Sequence, residues 1–522
     1  MIKRNISRVV FISALVVVCS LPLFLQSCQQ DFINPDSGVA YPDNIAAIFN
    51  TPLDPQSNIT CSSPSCHGGT NPPNGLSLID WAKTMDGSVN GSEIIPYNAY
   101  WSFFTSVLNS DTNNTQVASV TDVALPQYHK IDTVLSNGQA KLQEIIDWIN
   151  AGAPSKDGGI AYTNLSRKTF VLNQGADLVS VVLNDPSSHF LVTRMIPVGE
   201  GTGQGLSSPH YIELNPAKTY FYVSLITKTF VEKYDVNIDY PYGSAGRINV
   251  GLSPAHIEIT PDGFKAFVSN FDATGTERGL TQFDPNTMSQ TSIQKVTDPK
   301  MFATHGMDID ANGNYLYAAS QIGEYIFKIN ITNTIPVIEN ETGIDPSVPP
   351  TGNGTGMFRP YQIRISPDGQ YLYISCNGPA GNSNDDIVRI LRTSDLSFVK
   401  DITVGNNPIL MKFTPDGKYL FVCNKNKNSN GEYTVSVIDP VSQTLVTTVR
   451  NVGVQPHGVD FSFGGTYAIV SCESTAGFDG HHPTIGSNKI GTTRLIKVNG
   501  FQLDSLRIQM GSFPSGLVTY EY

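Results

Sequence analysis

Internal repetition restricts the fold of this chain more than any other feature of its sequence. From about residue 207 a pattern returns every 45 to 58 residues, and each copy opens on a proline or threonine ahead of an apolar strand. The six repeat starts are Pro209, Pro254, Thr304, Pro360, Pro408 and Pro456. A period of this length is typical of propellers and solenoids, in which each repeat is one unit packed against its neighbours.

Each repeat carries the signals of a small antiparallel sheet. A Pro-Asp-Gly turn follows the first strand in several copies, at 261–263, 367–369 and 415–417, and an alternating strand such as Tyr371-Leu-Tyr-Ile-Ser comes next. Proline sets φ at its turn position, and glycine tolerates the left-handed conformation that the turn needs. The predicted unit is strand, turn, strand, loop, strand, strand. Four-stranded units of this kind stack as blades around an axis.

The two ends of the repeat region predict how many blades there are. Six complete repeats run from residue 207 to residue 511, and residues 513–520 read as one more first strand without its blade. Upstream, residues 168–172, 177–183 and 190–198 are three strands that lack a first one. Joining the two ends gives a seventh blade and closes the ring. Rings of six or eight blades stay open as alternatives.

These repeat starts and Pro-Asp-Gly turns resemble the YVTN family of β-propellers over most of the C-terminal region. The resemblance implies an all-β, seven-bladed propeller at 160–522, which follows a short linker at 154–159. The chain is therefore expected to be multidomain, with a smaller module ahead of the propeller.

The first residues predict export. Three basic residues precede an apolar run at 9–25, which contains a proline and is short for a membrane span. The sequence Leu25-Gln-Ser-Cys28 resembles the bacterial lipobox, whose cysteine is lipidated after cleavage. This resemblance implies a signal peptide at 1–27, a lipidated Cys28 and a tether at 28–42. The mature chain would be exported and anchored to a bacterial membrane, periplasmic or at the cell surface, and an ordinary signal peptide is the alternative.

The strongest chemical motif is Cys61-Ser-Ser-Pro-Ser-Cys66-His67. Covalent haem requires two thiols that add to the vinyl groups of the porphyrin, followed by a histidine that reaches the iron. The usual motif has two residues between the cysteines, whereas four separate them here. A disulfide between Cys61 and Cys66, or a site for another metal, stays open when these residues are considered alone.

Residues 43–153 resemble the small cytochrome c domains that are fused to other modules in secreted bacterial proteins. The likeness runs from a leading helix at 44–49 through Cys66-His-Gly-Gly and Gly75-Leu-Ser-Leu to the closing segment Leu142-x-x-Ile-Ile-x-Trp-Ile. The apolar residues of that last segment recur at helical spacing. The resemblance implies a small all-α domain with one covalent haem, attached at Cys61 and Cys66, and with His67 as the axial iron ligand.

The sixth iron ligand is left open by the sequence. The family usually places Met-Pro ahead of the last helix, and the matching segment here reads Ala124-Leu-Pro-Gln-Tyr-His129, without the methionine. His129 is one candidate, Met85 on a predicted helix is another, and a vacant position is the third. A histidine in place of a thioether would lower the reduction potential, because methionine ligation raises it.

A second candidate site lies in the propeller. The position after each repeat start reads His210, Ala255, His305, Tyr361, Ile409, His457 and Ser515, with His256 one place further on. Because these positions begin the innermost strands, they are expected to ring one mouth of the central channel. Converging imidazoles can hold copper, another transition metal or a second cofactor. The alternative is that they hydrogen-bond to one another across the channel.

A column of charged residues follows a few positions further along the same strands. It is expected to form a solvated or salt-bridged lining of the channel, with acid–base catalysis as the alternative role. Its members are Glu213, Glu258, Asp308, Arg364, Lys412 and Asp460.

Electron transfer is the preferred function, in which the haem domain exchanges single electrons with a redox partner protein or a small acceptor. One alternative is a propeller oxidoreductase with a second haem or metal, similar in layout to cytochrome cd nitrite reductases. Another is a cell-surface binding module. Cleavage of the leader would take the formal net charge from −12 to about −15, because it removes three positive charges and no negative ones. That charge argues against nucleic acid as a partner.

Overall fold

The computed structural model describes residues 38–521 except 55, 57, 90, 119–128, 185–189, 346–356, 379–385 and 474–489. The predicted signal peptide at 1–27 and the predicted lipidation site Cys28 lie outside the described residues, as does the 124–128 segment ahead of His129. Among the described residues, no helix combines the length and the apolar character needed to cross a membrane.

Five short helices precede the repeats in the described part of the chain. They are α1 (Asp43–Phe49), α2 (Trp81–Met85), α3 (Phe103–Leu108), α4 (Ile131–Val134) and α5 (Gly138–Asn150). The leading and closing helices are thus present, and Asn44 Nδ2 of α1 donates to Glu144 Oε1 of α5 at 2.7 Å. The predicted apolar residues of α5 are buried. The rest of the described helical region is largely turn and loop, so it consists of short helices set in irregular chain, and the expected all-α domain is not shown.

The repeats form seven four-stranded antiparallel sheets within the described residues, which confirms the predicted seven-bladed β-propeller. Blades 1 and 2 consist of Pro209–Leu214, Tyr220–Leu225, Phe230–Asp235 and Gly246–Asn249, and of Pro254–Ile259, Ala266–Phe271, Arg278–Phe283 and Gln294–Val296. Blades 3 and 4 consist of Thr304–Ile309, Tyr315–Ser320, Tyr325–Asn330 and Val337–Gly343, and of Pro360–Ile365, Tyr371–Cys376, Ile387–Arg392 and Phe398–Thr403. Blades 5 and 6 consist of Pro408–Phe413, Leu420–Asn424, Thr434–Asp439 and Thr444–Arg450, and of Pro456–Ser462, Tyr467–Cys472, Ile490–Lys497 and Gln502–Ser512.

Blade 7 is built from both ends of the repeat region. Its inner strand is Pro514–Glu521, and its other three strands are Arg167–Asn173, Leu178–Leu183 and Leu191–Pro197. Residue 168 pairs with residue 520 and residue 170 with residue 518, so the last strand of the chain completes a sheet begun hundreds of residues earlier. The inner strands of neighbouring blades contact one another around the whole ring. The predicted closure is therefore confirmed.

One backbone conformation recurs at the entrance of every blade. The residue before each inner strand has a φ between +46° and +57°, and these residues are Ser208, Ser253, Ala303, Arg359, Asn407, Gln455 and Phe513. A left-handed conformation costs a non-glycine residue about 1–2 kcal/mol. In six blades the carbonyl of this residue accepts a hydrogen bond from the first residue after the second strand, as Gln455 does from Glu473 at 3.2 Å. In blade 2, Ser253 accepts the bond from Phe271, the last residue of that strand. This bond brings the end of the second strand to the channel mouth where the inner strand begins.

The helical region is packed against the propeller. One apolar core includes Ile45 and Trp148 of the helices together with Phe170 and Leu191 of blade 7. Arg194 of blade 7 donates to the carbonyl of Ala161 at 3.1 Å, within the segment that joins the two regions. The described residues accordingly form one compact unit.

The predicted linker at 154–159 also takes part in this packing. The backbone N–H of Lys156 donates to the carbonyl of Ala40 at 2.9 Å, and its ammonium pairs with Asp43 at 2.6 Å. The segment therefore folds back on the start of the helical region.

Candidate functional site

The motif from Cys61 to His67 forms a compact series of turns. The N–H of Cys66 donates to the carbonyl of Ser63 at 2.8 Å, and the N–H of His67 donates to the carbonyl of Cys61 at 3.0 Å. Gly68 is needed next, because a Cβ there would lie 1.8 Å from the carbonyl oxygen of Ser62. The two thiols are free and partly exposed. These turns fold the four residues between the cysteines compactly, so both cysteines and the histidine lie in the wall of one cavity.

That cavity has a volume of about 480 Å³ and lies within the helical region. Cofactor and small-molecule sites typically have volumes of about 300–1,000 Å³ and mostly apolar walls. The apolar part of this wall includes Ile48, Phe49, Leu76, Leu78, Phe104 and Ile131. The polar part includes Cys61, Cys66, His67, Glu93 and His129. A pocket with few polar groups in an apolar wall is suited to a mostly hydrophobic ligand.

The orientation of His67 is set by one hydrogen bond. Its Nδ1 lies 3.0 Å from the carbonyl oxygen of Leu76. A carbonyl oxygen only accepts, so Nδ1 carries the proton and Nε2 keeps its lone pair. This tautomer can bind a metal ion through Nε2, and a backbone carbonyl behind the ring is a common way to fix it.

His129 faces His67 across the cavity, whereas Met85 does not. The ring centroids of the two histidines are 6.2 Å apart, with 53° between the ring planes. Two imidazoles on opposite sides of one metal ion, each with its nitrogen about 2 Å from the ion, have centroids about 6 Å apart. Met85 is buried at the end of α2, its carbonyl accepts from the hydroxyl of Tyr162 at 2.9 Å, and it is not among the described residues that line the cavity.

Burial shifts the acid–base behaviour of two groups in the cavity wall. It raises the pKa of the Cys61 thiol to about 11, with the nearby Cys66 thiol adding to the effect. It also raises the pKa of Glu93 to about 7, against the opposing effect of a hydrogen bond from Ser88. The cavity thus contains a carboxylic acid that titrates near neutral pH.

At the channel mouth, His210 and His305 form a hydrogen-bonded pair. The two Nε2 atoms are 3.0 Å apart, His305 Nδ1 lies 3.1 Å from the carbonyl of Tyr361, and His210 Nδ1 lies 3.0 Å from Gln174 Nε2. Because the carbonyl only accepts, His305 donates through Nδ1, His210 donates to His305, and Gln174 donates to His210. Burial lowers the pKa of His305 to about 3, so the ring is neutral. This geometry is the hydrogen-bonded alternative considered for the channel histidines.

The other two channel histidines have different partners. His457 Nδ1 binds the buried carboxylate of Glu473, which also lies 3.1 Å from the ammonium of Lys425. Burial lowers the pKa of His457, although Glu473 opposes the shift. His256 Nδ1 accepts from the backbone N–H of Met307 at 2.8 Å. Within the described residues, no three His, Cys, Asp or Glu side chains are arranged to hold a metal ion.

Three further residues at the mouth, Gln174, Lys425 and Glu473, were not predicted from the sequence. Each is the first residue after the second strand of its blade, and each donates its N–H to the left-handed residue ahead of the inner strand. Their shared position in the repeat is the signal that places them at the mouth. An alignment of the second-strand ends, in addition to the repeat starts, would have found them.

The charged column lines the channel with ion pairs, as expected. Arg364 Nη1 lies 3.0 Å from Glu258 and 3.7 Å from Asp308, and Lys412 lies 3.9 Å from Asp460. The propeller cysteines are fully buried, and burial raises the pKa of Cys376 to about 12.

Replacement of Glu473 tests the buried ion pair at the mouth. The substitution Glu473→Gln removes the carboxylate beside Lys425, and loss of one partner of a buried pair typically costs about 3–5 kcal/mol. We expect the free energy of unfolding in a urea titration to fall by about 3 kcal/mol. The matched control is Asp416→Asn, which breaks an exposed pair with Lys418, and exposed pairs contribute only about 0–1 kcal/mol. Equal losses in the two variants would contradict the prediction.

Comparison with known proteins places the repeats among seven-bladed propellers. The family described as Lactonase, 7-bladed beta-propeller matches residues 341–463. Antigen Lp49 of Leptospira interrogans is 23% identical over 186 residues, which cover 33% of this chain and 36% of that protein. The chain therefore matches about a third of the length of this relative.

Two solved structures are similar to the propeller. A functionally unknown protein from Desulfotomaculum acetoxidans aligns with a TM-score of 0.50 at 13% identity, covering 68% of this chain and 99% of its own. A putative 6-phosphogluconolactonase from Bacteroides uniformis aligns with a TM-score of 0.49 at 12% identity, covering 68% and 99%. The family match and the seven sheets agree on the fold: the C-terminal region of this chain is a seven-bladed β-propeller.

Proposed function

We propose that this chain is an electron-transfer protein that carries one covalent haem in the cavity of its helical region. The observation that carries the proposal is the pair of imidazoles, His67 and His129, whose centroids lie 6.2 Å apart in a cavity that also contains two free thiols. A disulfide between the thiols would not explain why two imidazoles lie close together in the same cavity. When bound, a haem supplies reversible one-electron chemistry.

The residues of the cavity have distinct roles in this proposal. Cys61 and Cys66 form the thioethers, and His67 binds through Nε2 because its Nδ1 is engaged by the Leu76 carbonyl. His129 is the proposed sixth ligand, which favours a lower potential than methionine ligation would give. The apolar wall limits the access of water to the cofactor.

The propeller and the N-terminal segment complete the proposal. The propeller serves as a docking platform for a redox partner protein or for a small electron acceptor. The leader directs export, and lipidation of Cys28 holds the mature protein at a bacterial membrane. Stable anchoring by acyl chains is expected when more than one chain is attached to the same cysteine.

A second candidate function is that of an oxidoreductase with a metal or second haem at the channel mouth. It draws on three buried histidines at the same mouth, His210, His305 and His457, and it would require the hydrogen bond between His210 and His305 to open so that a ring nitrogen could bind a metal. Stoichiometric copper, or a second chromophore that is lost in a His210, His305 and His457 triple variant, would support it. A cell-surface binding module with an unrelated role for the haem is the third candidate.

The test of the electron-transfer proposal is a direct analysis of the mature protein made in a host with a working haem-attachment system. We expect haem that survives a denaturing gel, one iron per chain by metal analysis, and an optical spectrum that responds to reductant. Rapid reoxidation by a small acceptor without substrate turnover would support electron relay. A colourless protein with Cys61 and Cys66 joined in a disulfide would overturn it.

A further inference from the structure

Glu93 is the buried acid of the cofactor cavity. Two carboxylic acids lie among the described residues of its wall, Asp54 and Glu93. Asp54 is exposed, whereas the exposed fraction of Glu93 is 5%. The backbone of Glu93 is held by the N–H of Phe104, which donates to its carbonyl at 3.0 Å. Burial of a carboxyl in an apolar wall costs free energy unless the group is hydrogen-bonded, and the cost is larger for the charged form.

The other titratable groups of the wall have roles in the proposed function. The thiols of Cys61 and Cys66 become thioethers and then no longer titrate. His67 and His129 are the proposed ligands of the iron. Asp54 remains, but solvent screens its charge because it is exposed. Glu93 is left as the group that can change its charge inside the cavity.

We propose that Glu93 is the redox-linked proton site of this protein: it takes up a proton when the haem is reduced and releases it on oxidation. The inference rests on the proposed function, because it needs a haem in the cavity. One electron comes from a one-electron donor and enters the iron, and one proton passes from water to a carboxylate oxygen of Glu93. The two charges cancel, so the cavity has the same net charge in both oxidation states.

The coupling follows from Coulomb's law in a poorly solvated site. The oxidised haem carries one more positive charge than the reduced haem, and a nearby positive charge favours the carboxylate form. Burial, partly opposed by a hydrogen bond with Ser88, raises the pKa of Glu93 to about 7, so the proton equilibrium lies near neutral pH. A tenfold difference in proton affinity between the two oxidation states corresponds to about 59 mV in midpoint potential.

The test is a potentiometric titration of the holoprotein between about pH 5 and about pH 9, a range centred on the raised pKa of Glu93. We expect the midpoint potential of the wild type to fall as pH rises around neutrality, by up to about 59 mV per pH unit. The substitution Glu93→Gln keeps the shape of the side chain but cannot titrate, so its potential should not change with pH. The matched control Asp54→Asn should retain the slope of the wild type.

A second measurement reads the carboxyl group itself. An infrared difference spectrum of reduced minus oxidised holoprotein should contain the carbonyl band of a protonated carboxylic acid, and this band should be missing in Glu93→Gln. A coloured protein whose potential does not depend on pH would overturn the role of Glu93 alone, and so would a Glu93→Gln variant that keeps the slope. A protein without haem would overturn this inference together with the proposed function.

Discussion

Removal of residues 513–522 should abolish cooperative folding of the propeller. The segment contains Pro514–Glu521, the inner strand of blade 7, and among the described strands no other pairs with the channel side of Arg167–Asn173. Phe513, Val518 and Tyr520 are each 5% exposed or less. Burial of three such side chains contributes about 5–9 kcal/mol, at about 1.5–3 kcal/mol each. That amount is comparable with the whole stability of a typical domain, about 5–15 kcal/mol.

The strand also ties neighbouring parts of the ring together. The hydroxyls of Thr519 and Thr169 are 3.0 Å apart, and the N–H of Thr519 donates to the carboxylate of Asp460 in blade 6 at 2.8 Å. Deletion would therefore open the seam between blades 6 and 1 as well as blade 7. Thermal unfolding followed by near-UV circular dichroism should lose its cooperative transition.

Two matched point variants distinguish the loss of the closing strand from a general effect of shortening the chain. Val518→Asp places a charge at a position that is 5% exposed in the closing strand, and we expect it to reproduce most of the defect. Val446→Asp makes the same change at a position that is 45% exposed in the outer strand of blade 5, and it should be tolerated. A truncated protein that melts cooperatively at the temperature of the wild type would refute the closure argument.

The blade architecture could be predicted because its signals are local and repeated. Each Pro-Asp-Gly turn encodes its own geometry, and Gly263 has the expected positive φ of +75°. The closure could also be predicted, because an extra first strand at one end and a missing one at the other complement each other. Periodicity supplied the blade count without knowledge of any contact between blades.

The side-chain networks of the channel could not be predicted in the same way. These networks depend on distances between blades, which no local sequence pattern encodes. Examples are the hydrogen bond between His305 and His210 and the ion pair between Glu473 and Lys425. The left-handed backbone conformation at the blade entrances could not be predicted from the sequence either. Arg359 and Phe513 are among them, although neither residue type is typical of that conformation.

In the helical region, one part of the candidate site could be predicted from the sequence and another part could not. The order of Cys61, Cys66 and His67 predicted that they act together, and they line one cavity. The choice between His129 and Met85 could not be made from the sequence, because both lie at plausible distances along the chain. In the described structure His129 lines the cavity, whereas Met85 is not among the described lining residues and its backbone carbonyl accepts a hydrogen bond from Tyr162.

The double substitution Cys61→Ser and Cys66→Ser should remove covalent haem completely, from one per chain to none. Hydroxyl groups do not form the thioethers that bind the porphyrin, so any haem retained in the cavity would be lost in a denaturing gel. Each single variant should retain one thioether and therefore a weaker haem stain. The measurement is the haem stain together with the iron content of the purified protein.

Two further variants separate attachment from folding and from ligation. Cys376→Ser makes the same change in a buried strand of blade 4 and should retain haem, because Cys376 lies outside the cavity wall. His129→Ala should keep both thioethers and the full stain but change the optical spectrum, since it removes the imidazole that faces His67. If the double variant still carried haem through a denaturing gel, attachment at residues 61 and 66 would be wrong, and the electron-transfer proposal would lose its foundation.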